Sequence, residues 1–161
     1  MFVPTIRKVE PRDKEAVSEI CRISFDRLYE YFASRSFSSS DQVFVSDVED
    51  RVVGFAMLRL VHIRKQILGN VLWLAVHPKF RRRGVASALL EVSIDYFKNH
   101  LIRTAYASVK KNNLSSIYLF ERERFRKLDF HKLTQLYGFR VVEIYLKMHI
   151  APTEIVLATD L

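Results

Sequence analysis

The stretch Asn70-Val-Leu-Trp-Leu-Ala-Val76 constrains this chain more than any other. After its first residue every side chain is apolar, so the alternation of a strand puts apolar groups on both faces. Such a strand must be covered on both sides, which asks for a central place in a mixed or parallel sheet with helices flanking it. His77-Pro78 ends it. Lys79, Arg81, Arg82 and Arg83 follow, and beside Gly84 a helix begins, with Val85, Ala88, Leu89, Val92 and Tyr96 at helical spacing. The first amides of a helix lack intrahelical partners and lie at its positive end. Small residues at Gly84 and Ala86 let a large anion approach that backbone. The block therefore has the chemistry of a pyrophosphate cradle, and its plainer alternative is a solvated basic turn.

The rest of the chain alternates between strand and helix patterns. Residues 3 to 9 read as a strand with Pro4 near its start, and Pro11 to Asp13 start a helix striped by Val17, Ile20, Cys21, Ser24, Phe25 and Leu28. Serines 34, 36 and 38 to 40 read as a polar loop. Val43 to Val45 and Arg51 to Val61 read as strands joined by a turn at Asp47 to Asp50. Gly54 reads as a strand interruption and Gly69 as a turn. Arg103 to Val109 is a further strand, and Asn112-Asn113 caps a helix from Leu114. Phe139 to Met148 and Glu154 to Asp160 read as two final strands, parted at Ala151-Pro152. The fold class is α/β or α+β, and residues 1 to 161 read as one domain.

Composition narrows the function classes. The 161 residues carry 26 Lys and Arg against 18 Asp and Glu, a net charge of +8 that favours an anionic partner. The longest apolar run, Val52 to Leu58, is seven residues, far short of the roughly 20 a spanning helix needs. The charged start holds no secretory segment, and one Cys excludes a disulfide framework or Cys-based zinc cluster, as suits a cytoplasmic protein. The five His show no metal-ligand spacing, and no basic-aromatic RNA motif or zinc finger appears. Neither a metal, a nucleic acid nor a membrane is expected as a partner.

At the basic turn the chain resembles the GNAT superfamily of acetyl-CoA-dependent N-acetyltransferases. Arg81-Arg82-Arg83-Gly84-Val85-Ala86 matches that family's Arg/Gln-x-x-Gly-x-Gly/Ala motif, and Leu74-Ala75-Val76-His77-Pro78 resembles its Leu-x-Val-x-Pro strand end. Asn113-Leu-Ser-Ser-Ile117-Tyr-Leu119-Phe120 follows its Asn-x-x-Ala-Ile-x-Leu-Tyr pattern, and Tyr137-Gly138-Phe139 is matched to its Leu-Gly-Phe. The resemblance implies a twisted, mixed and mostly antiparallel sheet flanked by helices. It implies direct acetyl transfer from acetyl-CoA to a primary amine: a protein N-terminus, a lysine or a small amine. The amides of residues 82 to 86, with Arg81, would hold the pyrophosphate, and backbone groups of Leu74 and Val76 the pantetheine arm. The Val76 amide would face the thioester carbonyl. Asn113 would contact CoA or simply cap its helix.

Three departures stand beside that resemblance. The familiar proton carriers are replaced by Ser108, Phe120 and Asn70. Tyr106 and Ser108 remain as candidate catalytic side chains, while Tyr118 and Tyr137 are not placed near the chemistry and His62 and His77 flank the central strand. Protons would then pass through bound water or bulk solvent, with positioning supplying the rate. A CoA-binding regulatory or interaction domain with weak or no catalysis is the alternative function. Second, Gly138 lies 25 residues after Asn113, against about eleven in the family pattern. The excess reads as a lengthened helix in the C-terminal half, striped by Leu114, Ile117, Tyr118, Phe125, Leu128 and Leu136. Its basic outer face at Arg122, Arg124, Arg126 and Lys127 is a solvated surface or, on a sharper reading, a lid, homodimer contact or docking site. Third, no residue names the acceptor, although Tyr29, Tyr31, Phe32 and Phe37 could grip one.

Overall fold

A computed structural model describes residues 2–161. In it seven strands form a sheet in the order β1-β2-β3-β4-β5-β7-β6, with β1 Thr5–Lys8, β2 Gln42–Val48, β3 Arg51–Ile63, β4 Gln66–Val76, β5 Thr104–Lys110, β6 Arg126–Leu128 and β7 Glu154–Asp160. β1/β2, β2/β3, β5/β7 and β6/β7 run antiparallel, and β4/β5 is the parallel pair. The helices are α1 Lys14–Ser24, α2 Arg27–Ser39, α3 Val85–Asn99, α4 Leu114–Arg122, α5 Phe130–Tyr137 and α6 Val141–Lys147. None is long and apolar enough to cross a membrane. The chain divides into two units, residues up to Leu58 with Trp73–Ser93, and Arg59–Leu72 with Ile94–Leu161.

In the first unit, Glu49 and Asp50 both take positive φ, the backbone of a two-residue hairpin that joins β2 to β3. Of the serines expected in a loop, those at 34, 36, 38 and 39 belong to α2, and Ser40 is its extended C-cap. Asp26 caps that helix by accepting from Tyr29 N–H, and Ser36 Oγ donates back to the Phe32 carbonyl at 2.8 Å, so the helix absorbs its own hydroxyls. Ser36 Oγ also accepts from Trp73 Nε1 at 3.0 Å, tying α2 to β4. The core of this unit is Val17, Ile20, Cys21, Ala33, Val43, Val45, Phe55, Met57 and Ala75. Leu28 lies outside it, exposed on α2, because α1 ends at Ser24. Burial pushes the Cys21 thiol up to about 12, so it stays a neutral packing group. Gly54 does not interrupt β3. A Cβ there would lie 3.1 Å from the Ala75 carbonyl and from Val85 Cγ1, so its bareness lets α3 close onto the sheet.

The second unit corrects the C-terminal expectations. No lengthened helix follows Asn113. α4 stops at Arg122, Arg124 takes the left-handed conformation, and Phe125 buries itself edge-on against Phe120 at 5.0 Å. Arg124 lies eleven residues after Asn113, where the family pattern puts its Gly. The Leu-Gly-Phe place is therefore Glu123-Arg124-Phe125. Phe125 is 2% exposed and Phe139 102%, which decides between the two candidates. The proposed stripe fails for the same reason: Tyr118 and Leu114 face solvent. Phe139 to Met148 is not a strand. After a 3-10 turn it forms α6, because Val141, Ile144 and Met148 recur at helical spacing and bury together. β7 lies between β5 and the short strand β6 and pairs with both.

Gly69 is likewise inside β4 rather than at a turn. A Cβ on it would meet the Phe97 ring at 2.8 Å, and that ring is wholly buried. Gly69→Ala should therefore cost about 1–3 kcal/mol of stability, read as a lowered thermal midpoint. Arg7 clamps Asp13 at 2.7 Å and Asp47 at 2.9 Å, and this hydrogen-bonded pair holds the Asp13 carboxyl below its usual range. A carboxylate with a depressed native pKa adds stability above its unfolded pKa and loses it as pH falls through the native value. Acid unfolding should thus begin below about pH 4, and Asp13→Asn should flatten that part of the stability profile.

Candidate active site

The turn after β4 is built by three local devices. His77 N–H donates to the Val53 carbonyl at 2.8 Å, closing the β3/β4 pairing. By strand alternation the backbone groups of Leu74 and Val76 then point away from β3. Pro78–Phe80 form a 3-10 turn capped by His77, whose Nδ1 accepts from Lys79 N–H. Desolvation, helped by Arg51 and Lys79, lowers the His77 pKa, which favours the neutral ring that this cap requires. Arg81 then reaches back, donating from Nε to the Val76 carbonyl at 3.0 Å, with Ser24 Oγ 3.4 Å from Nη2.

Arg82 at φ 63° and Gly84 at φ 80° turn the chain sharply into α3. The first bond of that helix is Ala88 N–H to the Gly84 carbonyl at 3.0 Å. The N–H groups of Val85, Ala86 and Ser87 precede it, so the end of α3 offers a row of donors at its positive pole. Around them, the Arg83 guanidinium stacks over Phe80 and Phe2, and Arg51 lies over Phe80 from β3. Arg82 and Lys79 are exposed. The loop can thus bind a polyanion through backbone donors and exposed cations at once. Arg81 differs from its neighbours: its guanidinium is engaged inward, as a brace. Neither that brace nor the left-handed Arg82 has a sequence signal of its own.

Other expected residues fall as follows. Asn113 Oδ1 accepts from Ser116 N–H at 3.2 Å, so the N-cap reading holds and only its Nδ2 is left for another partner. Phe120 is buried against Phe125. Ser108 is half-buried on β5, in register with Val156. Tyr106 is buried on the same strand, 2.6 Å from the Tyr137 hydroxyl. Burial, then that hydrogen bond, holds its phenol protonated far above the usual range, so Tyr106 is no general base. Tyr29 and Phe25 pack on Trp73, Phe37 lies at the edge of the core, and Tyr31 and Phe32 are exposed on α2. His62 is exposed on β3, with its carbonyl bonded to Lys147.

Comparison with known proteins accords with this geometry. Residues 7–124 match the model of the acetyltransferase (GNAT) family. That match ends at the left-handed Arg124. An N-alpha-acetyltransferase of Saccharolobus solfataricus is 30% identical over 149 residues, 84% of each chain. Among solved structures, the ribosomal-protein-S18-alanine N-acetyltransferase of Escherichia coli superposes with a TM-score of 0.70 at 21% identity, over 98% of this chain and 94% of that one. The PaiA N-acetyltransferase of Thermoplasma acidophilum, solved in complex with coenzyme A, gives 0.71 at 14% identity over 99% of both. The chain belongs to the GNAT family of acetyltransferases and is an acyltransferase enzyme, an N-acetyltransferase.

Proposed function

We propose that this enzyme, acting as a single domain over residues 1–161, moves the acetyl group of acetyl-CoA to the α-amino group of a peptide or protein N-terminus. The observation that carries the cofactor half is the pair of left-handed residues, Arg82 and Gly84, which set the unpaired N–H groups of α3 at the end of a braced loop. The residues fit CoA: backbone donors at 82–86 for the pyrophosphate, and exposed Lys79, Arg82 and Arg83 for its remaining charge. Arg81 contributes by holding the loop closed on Val76. Asn113 can serve CoA only through Nδ2. The name of the Saccharolobus relative supports the acceptor half.

When bound, acetyl-CoA supplies an activated thioester carbonyl. The chain supplies position and polarity. The Val76 amide, turned away from β3, is the candidate donor to that carbonyl oxygen, and such a donor gains strength where water is excluded. Because the Val76 carbonyl is occupied by Arg81, this strand end is rigid before any ligand arrives. The side chains at positions 108 and 120 are a hydroxyl and a buried ring, so neither provides a base at neutral pH.

Gly84→Val forces a β-branched side chain into φ 80°, and its strain of about 1–2 kcal/mol falls on the turn itself. Calorimetric titration should show roughly tenfold or greater weakening for CoA, since 1.4 kcal/mol is a factor of ten, with the circular dichroism of the fold retained. The acceptor is tested by thiol release on a panel of peptides, lysine side-chain analogues and small amines. Free N-terminal peptides should be turned over, and N-blocked peptides bearing lysine should not. Exclusive use of small amines would refute the N-terminal assignment.

A further inference from the structure

The chain's excess positive charge does not sit with the basic turn. The first unit, which holds Lys79 and Arg81 to Arg83, has 12 Lys and Arg against 11 Asp and Glu, a net +1. The second has 14 against 7, so +7 of the chain's +8 lies there. An anion held at the turn in the first unit therefore leaves nearly all of the excess without a partner. Much of it faces solvent: Arg122 at the end of α4, Arg124 in the turn after it, and Arg126 and Lys127 on β6 are all exposed. β6 is the last strand of the sheet, so this basic run follows an edge.

The same unit also presents apolar bulk to water. α6 is apolar on two sides: Val141, Ile144 and Met148 enter the core, while Val142 and Leu146 point outward and are exposed. Phe139, three residues before Val142, is fully exposed and extends that row. On α5, Phe130 and Leu136 are exposed too, and Phe130 lies edge-on to Tyr145 of α6 at 5.7 Å, so the two helices share one outer surface. Between β6 and α5 stands only Asp129, whose carboxylate is engaged as the cap of α5, accepting from Lys132 N–H at 2.7 Å. Leu128 of β6 packs on the cluster that α6 covers, which seats the basic strand beside the apolar row. Exposed apolar surface of this kind marks an interaction site.

Charge decides what covers it. A second copy would set +7 against +7, and self-repulsion opposes that. A nucleic acid would engage the cations through its phosphates and leave Phe139, Val142 and Leu146 in water. An anionic lipid surface takes both: its phosphates meet the cations, and its acyl boundary admits protruding apolar side chains without a groove shaped for them. No described helix is long and apolar enough to span a bilayer, and lying on one needs no span. We propose that the α5–α6 face of the second unit, with Arg126 and Lys127 beside it, docks this enzyme on an anionic lipid surface. Phe139, Val142 and Leu146 enter the boundary between headgroups and acyl chains. Glu143, the acid of α6, is paired with Arg140 at 3.0 Å and Lys147 at 2.6 Å, so its charge is neutralised before it meets the lipid. This surface is independent of which amine is acetylated.

The test is flotation of the full chain with phosphatidylcholine vesicles carrying about one third phosphatidylglycerol, against vesicles of phosphatidylcholine alone. The chain should float with the anionic vesicles only, and less so as salt rises, because screening shortens the reach of the cations. Arg126→Gln combined with Lys127→Gln should weaken binding roughly 25-fold, at about fivefold per cation. Phe139→Ser, at a side chain the fold does not bury, should weaken it roughly tenfold or more. Circular dichroism of both variants should match the parent's. Phe139→Trp should gain an emission that lipids brominated on their acyl chains quench, which adsorption by charge alone would not give. No flotation with anionic vesicles at low salt overturns the proposal, and so does flotation that neither variant weakens. Capture by duplex RNA or by polyglutamate with no binding to vesicles overturns it in favour of those partners. A dimer in solution that Phe139→Ser dissolves overturns it in favour of a second copy.

Discussion

Arg81 reaches back across the turn after β4 and donates from Nε to the Val76 carbonyl, and the start of α3 depends on that bond. With Val76 held, the chain must rise through Pro78–Phe80 and reverse at two left-handed residues before the helix can begin. Gly54 adds the second constraint by letting Val85 and Leu89 close on β3. A polyanion site made of backbone amides needs this rigidity, because its donors are only as well aimed as the peptide units that carry them. Of the three consecutive arginines, Arg81 is the one whose guanidinium braces the strand end.

Each unit solves its own packing problem around this demand. In the first, α1 and α2 cover the strands with an apolar core whose internal polar contact, Trp73 to Ser36, is satisfied on both sides. In the second, α5 and α6 fold over β5 and β7, and the Tyr106–Tyr137 bond pins α5 to the strand it covers. Among the described residues three buried polar atoms have no partner in the protein: Ser46 Oγ in the first unit, and Asn70 Nδ2 and Arg140 Nε in the second. Buried polar groups without partners tend to mark places where function overrides packing.

The strand from Asn70 to Val76, the helix from Val85 and the strand from Glu154 to Asp160 were legible because hydrophobic period and punctuation agreed. The turn between that strand and that helix was legible for the same reason. The serines of α2 were not, since side chains that bond back to the carbonyl four residues earlier remove the polar signal of a loop. The region after Asn113 misled because it holds two Phe residues preceded by a left-handed position, at Arg124 and Gly138. Glycine drew attention to the second, while burial chose the first. Arg124 shows that a tightly packed neighbour can impose αL on a residue that carries no hint of it. The brace by Arg81 and the pairing of Tyr106 with Tyr137 depend on contacts between distant segments, which no local pattern encodes.

The central claim is that the turn into α3 holds the phosphates of CoA through its own backbone. The direct measurement is an amide NMR titration with CoA. The largest shifts should fall on residues 82 to 86 and on Val76, saturating together. If those amides stay unmoved while CoA binds and others shift, the claim is wrong.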